Sequence, residues 1–221
     1  MIEAWREPRT RSVIIASLTL GIAVGAFGFT FGVGAVGAGS SVAQACAMSL
    51  LVFTGATQFS AVTVIAAGGS PASAVSGALV LAARNGVYGL TMSRRITGSL
   101  GRRLIAAQLT IDESTAMSSA QTEPAEQRLA FWITGITIYI FWNLGTLLGA
   151  LTGSSIDPQK YGLDAAFPAA FVAMLWPLLR DRRARLVAVC GALICLVLIP
   201  IAPIGIPVLA ASAAILLGVP E

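Results

Sequence analysis

Histidine is absent from all 221 residues. That absence excludes histidine metal sites, imidazole proton relays and Ser-His-Asp triads. Charge is scarce as well. Only 11% of residues are charged and 56% are hydrophobic, whereas a water-soluble domain carries about 25% charged residues. No Asp, Glu, Lys or Arg occurs from Ser12 to Ala83, from Leu129 to Ile156, or from Leu186 to Pro220. Each gap holds one or more helices of about 20 residues, the length that crosses a hydrocarbon core. A buried core helix of a soluble protein does not explain the first gap, so lipid is the expected solvent. Cysteine is limited to Cys46, Cys190 and Cys195, all within apolar segments and without zinc spacing; they read as small apolar side chains. No Ser or Cys stands with a base in a nucleophilic constellation. An enzyme, a metal site and a cofactor are therefore not expected.

The net charge is +4. Its positive residues cluster beside apolar segments, the positive-inside pattern of a membrane protein, so no nucleic-acid partner is implied. The expected architecture is all-α, a polytopic bundle of about seven hydrophobic segments: Ser12–Val36, Ser41–Ala67, Ala72–Met92, Leu129–Leu151, Leu163–Leu179, Leu186–Pro200 and Ile201–Gly218. The first is too long for the apolar region of a cleavable signal peptide and reads as a retained helix. Residues 1–221 form one integral membrane permease domain on this reading, with 1–11 a cytoplasmic amino terminus and 102–127 a polar segment between two halves. Pro200, Pro203 and Pro207 divide the carboxy-terminal stretch into two short helices, since proline removes a backbone donor.

Arginine supplies a parity test. Arg6, Arg9 and Arg11 mark one cytoplasmic segment, Arg94, Arg95, Arg102 and Arg103 a second, and Arg180, Arg182, Arg183 and Arg185 a third. Two spans fit between the second and third. Three apolar segments lie between the first and second, where an even number of crossings is required. At least one helix there is expected to be broken or re-entrant. Ser41–Ala67 is the most polar, holding Gln44, Ser49, Thr54, Gly55, Thr57, Gln58, Ser60 and Thr63. Irregular backbone survives at membrane depth only where protein or water satisfies its hydrogen bonds, so a break there marks a binding site or pathway. The alternatives are an irregularity at Arg84 and Asn85, or an external amino terminus.

Several residues carry candidate chemistry. Gly21/Gly25, Gly28/Gly32 and Gly145/Gly149 are spaced four apart, the pattern of close helix packing in lipid. As one continuous helix, Thr54, Thr57 and Gln58 share a face, with Gln44 near it. That face either bonds neighbouring helices or, if Gly55 unwinds the chain, offers hydroxyls, an amide and free backbone to a ligand with carboxylate and ammonium groups. Arg84 is a fixed cation for a carboxylate or a partner for an acid; snorkelling lowers its cost. Asp112 and Glu113 are the adjacent acidic pair, able to pair with arginine, carry a proton or stay solvated. Trp132, Tyr139 and Trp142 read as interfacial or packing aromatics, with Asn143 a buried polar neighbour. The substrate-pathway candidates are thus Thr54, Gly55, Thr57, Gln58, Arg84, Asn85 and Asn143, and the proton-coupling or ion-pair candidates are Asp112 and Glu113.

GFTFGVGAVGAG at 28–39, SLLVFTGATQFSAV at 49–62, RNGVYG at 84–89, LTIDEST at 109–115, FWNLGTLLGALTG at 141–153 and YGLDAAFPAAFVAML at 161–175 together resemble the AzlC family, the larger component of AzlC/AzlD-type branched-chain amino-acid exporters. The family's asparagine and histidine around its arginine are replaced here by Ala82 and Asn85. The resemblance implies a multi-pass protein of the bacterial cytoplasmic membrane. It also implies secondary export of valine, leucine, isoleucine or methionine with a small AzlD-like membrane protein as partner. Self-association into a homo-oligomer stays open. No Walker A pattern or coupling helix supports an ABC-type permease. A passive channel for small solutes and a structural subunit of a membrane complex are the alternatives.

Overall fold

The computed structural model describes residues 8–155, 169, 172, 176–202 and 206–218. Among these, every regular element is helical. The helices are α1 (Pro8–Gly37), α2 (Val42–Val52), α3 (Ala56–Ala66), α4 (Pro71–Ser93), α5 (Leu100–Gln108), α6 (Asp112–Ser119), α7 (Pro124–Ser155), α8 (Arg182–Leu198) and α9 (Ile206–Ala211), with 3-10 turns at Trp176–Arg180 and Ser212–Gly218. The expected segment Leu163–Leu179 lies almost wholly outside the described residues.

Helix starts follow local chemistry. Ser41 and Gln44 form a reciprocal capping box on α2: Gln44 N–H donates to Ser41 Oγ at 3.2 Å, and Ser41 N–H to Gln44 Oε1 at 2.8 Å. Gln44 is therefore spent on a cap, and the expectation that it joins the Thr54 face is corrected. Ser70 caps α4 ahead of Pro71 at the first helical position. α8 stops two residues before Pro200, and α9 starts at Ile206, which divides the carboxy-terminal stretch as expected.

Among the described residues two helices are long and apolar enough to cross a membrane alone, Thr10–Gly37 and Pro124–Ser155. Only 28% and 39% of their most apolar windows is buried, so most of each faces outward, unlike the core helix of a soluble protein. They are also the most extensively packed pair, and they run parallel. Ser17 meets Thr134 through a buried 2.8 Å hydroxyl pair. Further along, Gly21 lies on Thr137 and Phe141, Gly28 on the Trp142 backbone, Gly32 on Thr146 and Ala150, and Gly153 on Val33. A Cβ at Gly28, Gly32, Gly145 or Gly149 would collide with the facing backbone. The four-residue glycine spacing is thus a packing seam in which the two backbones touch, as lipid-embedded helices require when packing replaces the hydrophobic driving force.

Ser41–Ala67 is not one helix. It divides into α2 and α3, of 11 residues each, or about 16 Å apiece. The chain reverses between them: Gln58 in the first turn of α3 reaches back to Met48 in the last turn of α2, and Met48 packs against Ala61 and Val64. The tip of this splayed hairpin lies beside the middle of α7, with Leu50 O on Tyr139 and Gly55 against Trp142. Its open end points toward the α7 C-terminus, where Ser49 bonds Thr146 at 3.0 Å.

The polar segment 102–127 holds a second reversal. α5 rises from Arg102, stacked on Trp132 at 5.6 Å, to Leu109 against Gly135. α6 then descends from Asp112, beside Arg84, to Ser119, which accepts from Arg95 Nη1 at 2.9 Å. This hairpin opens toward the α7 N-terminus, opposite to the first. Its helices escaped detection because they are short, at 9 and 8 residues, and rich in hydroxyl and charged side chains.

Gly149→Leu or Gly32→Leu is expected to force α1 and α7 apart and destabilise the fold by about 2 kcal/mol or more. Gly37→Ala, with nothing within 4 Å of its Cβ position, should be tolerated. Thermal unfolding in detergent, followed by loss of monodispersity, measures the difference.

Candidate functional site

The two hairpin tips meet. Each is a three-residue interruption between helices, Phe53–Gly55 and Leu109–Ile111. Such an interruption leaves terminal N–H and C=O groups without helical partners. Side chains supply the missing bonds. Gln58 is fully buried. Its Oε1 accepts from Thr54 N–H at 3.3 Å and Gly55 N–H at 3.2 Å, while Nε2 donates to Met48 O at 3.2 Å. Gln108 Nε2 crosses from the second hairpin to Leu50 O at 2.9 Å and Leu51 O at 3.3 Å, and Tyr139 Oη donates to Leu50 O at 3.1 Å. In the second tip Ser114 Oγ donates to Leu109 O at 2.6 Å and accepts from Ile111 N–H at 3.1 Å.

The first tip departs sharply from helical geometry. Phe53 has φ 28° and Gly55 φ 59°. A positive φ is strained for phenylalanine and natural for glycine. Phe53 is held there by burial and by an edge-to-face contact with Tyr139, ring centroids 4.9 Å apart. Behind the tip, Trp142 stacks with Phe31 and meets Phe59 edge-on. Trp142 is thus a core aromatic and not an interfacial one.

Arg84 of α4 joins the tips. Its Nη1 lies 2.6 Å from Asp112 Oδ2 of the second hairpin, and its Nη2 reaches Thr54 O of the first at 3.5 Å. Asp112 opens α6, where the helix dipole favours a negative charge. Glu113 follows in the same turn and is half-buried. On the junction residues Thr54 Oγ1, Arg84 Nε and Asp112 Oδ1 are buried without a partner, as are Thr57 Oγ1 of α3, Asn85 Oδ1 of α4, Thr115 Oγ1 of α6, and Trp142 Nε1 and Asn143 Oδ1 of α7. Unsatisfied buried groups are rare in native folds and cost about 1–3 kcal/mol each. The donor left open on Arg84 and the acceptors left open on Asp112 and Thr54 are therefore where a polar ligand would gain a bond. Beside the junction, a cleft of about 310 Å³ runs between α4 and α5, lined in part by Gly89, Met92, Arg103, Leu104 and Thr110.

The sequence-derived candidates are thus partly united. Thr54, Arg84 and Asp112 touch in a chain, Gly55 lies in the tip beside the strained Phe53, and Thr57 sits in the first turn of α3. The shared helical face of Thr54, Thr57 and Gln58 is corrected, because Thr54 lies in the break itself. Gln58 has both amide atoms committed to backbone. Asn143 Nδ2 is likewise engaged by Tyr139 O at 2.8 Å. Gln108, Tyr139 and Thr115 were not anticipated as parts of the junction. Gln108, the lone amide in LIAAQLTI, carried a readable signal.

Gln58→Ala should free Thr54 N–H, Gly55 N–H and Met48 O together, lowering stability by about 1–3 kcal/mol. Amide hydrogen exchange should rise selectively in peptides covering 48–58. Gln58→Glu, which keeps the acceptor, should protect the tip amides better than Gln58→Ala.

The family model described as AzlC protein matches residues 19–156, a stretch that includes both hairpins and α4. A membrane protein of Helicobacter pylori, of uncharacterised role, is 28% identical over 169 residues, covering 76% of this chain and 71% of that protein. The branched-chain amino acid transport protein AzlC of Bacillus subtilis is 25% identical over 169 residues, 76% of this chain and 64% of its own length. The inner membrane protein YgaZ of Escherichia coli is 30% identical over 157 residues, 66% of this chain and 64% of that protein. The chain thus spans less than two thirds of these last two relatives. No solved structure matches it. With more than half of its length matched by the family model, and with helices built for lipid, the chain is a membrane protein of the AzlC family.

Proposed function

We propose that this protein is a secondary transporter that exports small neutral amino acids, branched-chain ones among them, across the cytoplasmic membrane. The observation that carries the proposal is the junction of two opposed hairpins at Arg84, with unpartnered donors and acceptors around it. Interrupted helices that meet near mid-depth and present polar groups there are the recurring device of secondary carriers. The similarity to a branched-chain amino acid transport protein supports the substrate class.

The same geometry accounts for the arginine parity. If α2 and α3 enter and leave on one side, α1 and α4 make the two crossings between the amino terminus and Arg94–Arg103, and both stay cytoplasmic. The parallel course of α1 and α7 agrees, since one net return crossing must separate them. The remaining apolar segments complete about seven, with an AzlD-like protein as partner for the outward apolar surface. Access alternates on this reading: α5–α6 moves to open the cytoplasmic side and α2–α3 the other. A passive channel would need neither the ion pair nor the cross-tip bonds.

Purified protein in liposomes, with and without the small partner, should accumulate labelled leucine in counterflow. Arg84→Ala should reduce the initial rate at least about tenfold, since the junction loses the charged donor that holds both Asp112 and Thr54 O. Non-saturating flux without exchange stimulation would favour the channel. Transport intact in Arg84→Ala would remove the junction from the pathway.

A further inference from the structure

The Arg84–Asp112 pair is joined in an unusual way. A guanidinium and a carboxylate commonly meet through two parallel bonds, yet here a single contact, Nη1 to Oδ2 at 2.6 Å, is made. The second atom on each side, Arg84 Nε and Asp112 Oδ1, is buried without a partner. The two side chains are also 34% and 40% exposed, so the pair lies at an approachable edge and not deep in a core. It joins α4 to α6, whose other polar tie is Arg95, just past α4, on Ser118 and Ser119.

We propose that this pair is a clamp for the zwitterionic headgroup of an α-amino acid, with Arg84 taking the carboxylate and Asp112 the ammonium. The inference rests on the transport reading and adds the chemistry of recognition to it. In the substrate-free state the two charges hold each other. When α4 and α6 separate, a zwitterion inserts between them and one ion pair becomes two, leaving no charge unmatched. Arg84 Nε gains an acceptor and Asp112 Oδ1 gains a donor. The Thr54 hydroxyl, also unpartnered and on the residue whose carbonyl accepts from Arg84, is available to complete the ammonium or carboxylate shell. A solute with one charge satisfies only one side and strands the other without a counter-charge, at a cost that partial exposure lessens but does not remove. Selection is therefore made on the coexistence of both charges, and the apolar side chain is read separately.

The test uses the full chain in liposomes and measures inhibition of labelled-leucine counterflow. The competitors are leucine, 4-methyl-2-oxopentanoate, which lacks the ammonium, and 3-methylbutylamine, which lacks the carboxylate. Against wild type each single-charge analogue should compete at least about tenfold more weakly than leucine. Asp112→Asn should weaken leucine while improving the oxo acid relative to it; Arg84→Gln should do the same for the amine. Wild-type competition by either analogue equal to leucine overturns the clamp, as does an Asp112→Asn variant that weakens all three competitors alike. If a variant is not monodisperse, the wild-type ranking alone decides. Leucine exchange without charge selectivity defeats only the clamp, whereas absence of any amino-acid exchange defeats the transport reading and the clamp with it.

Discussion

Everything in this molecule depends on satisfying backbone hydrogen-bonding groups where helices are interrupted in the middle of an apolar bundle. An unpaired N–H or C=O in hydrocarbon costs several kcal/mol, so an interruption persists only when side chains replace the lost bonds. Gln58, Gln108, Tyr139 and Ser114 do so here, with Arg84 reaching Thr54 O. Two of these are amides, which offer a donor and an acceptor in one rigid group. Because Gln108 bonds carbonyls of the other hairpin, the repair of one break is also the latch between both.

Around this junction the fold divides into a rigid part and a lightly tied part. α1 and α7 touch along their backbones through glycine, which leaves no room for sliding and no flexible side chain to yield. The hairpins, in contrast, are held to each other by a few polar contacts and to the frame by short helices. A transition that exchanges those contacts needs little rearrangement of packed apolar surface, and close-packed interiors resist any other kind. The polar contacts at the tips are thereby separated from the backbone packing of the seam.

Much of this was legible in the amino-acid order. The charge-free runs point to a lipid solvent, because so low a charge density leaves too little polar surface for water. The glycine spacing marks a close-packed face, since only residues without side-chain bulk admit backbone contact. The conflict between arginine clusters and three apolar segments locates an interruption in the first half, and the polar content of 41–67 places it. What the order could not convey was the second hairpin. α5 and α6 are too short and too polar for a periodicity signal, and 102–127 resembles a solvated connection until its tip is seen beside Arg84.

The sequence by itself pointed to the solvent, the helical class, the glycine packing faces and a break within Ser41–Ala67. These follow from composition and local spacing, which act over a few turns of chain. Only the tertiary structure decided that Arg84 pairs with Asp112, 28 positions away, that Gln108 serves the other hairpin's carbonyls, and that Gln58 caps backbone and so is unavailable to a ligand. The physical reason is that a polar group has several partners of equal intrinsic strength. Which one it takes is set by the packing of α4, α6 and α7, and not by anything encoded within its own segment.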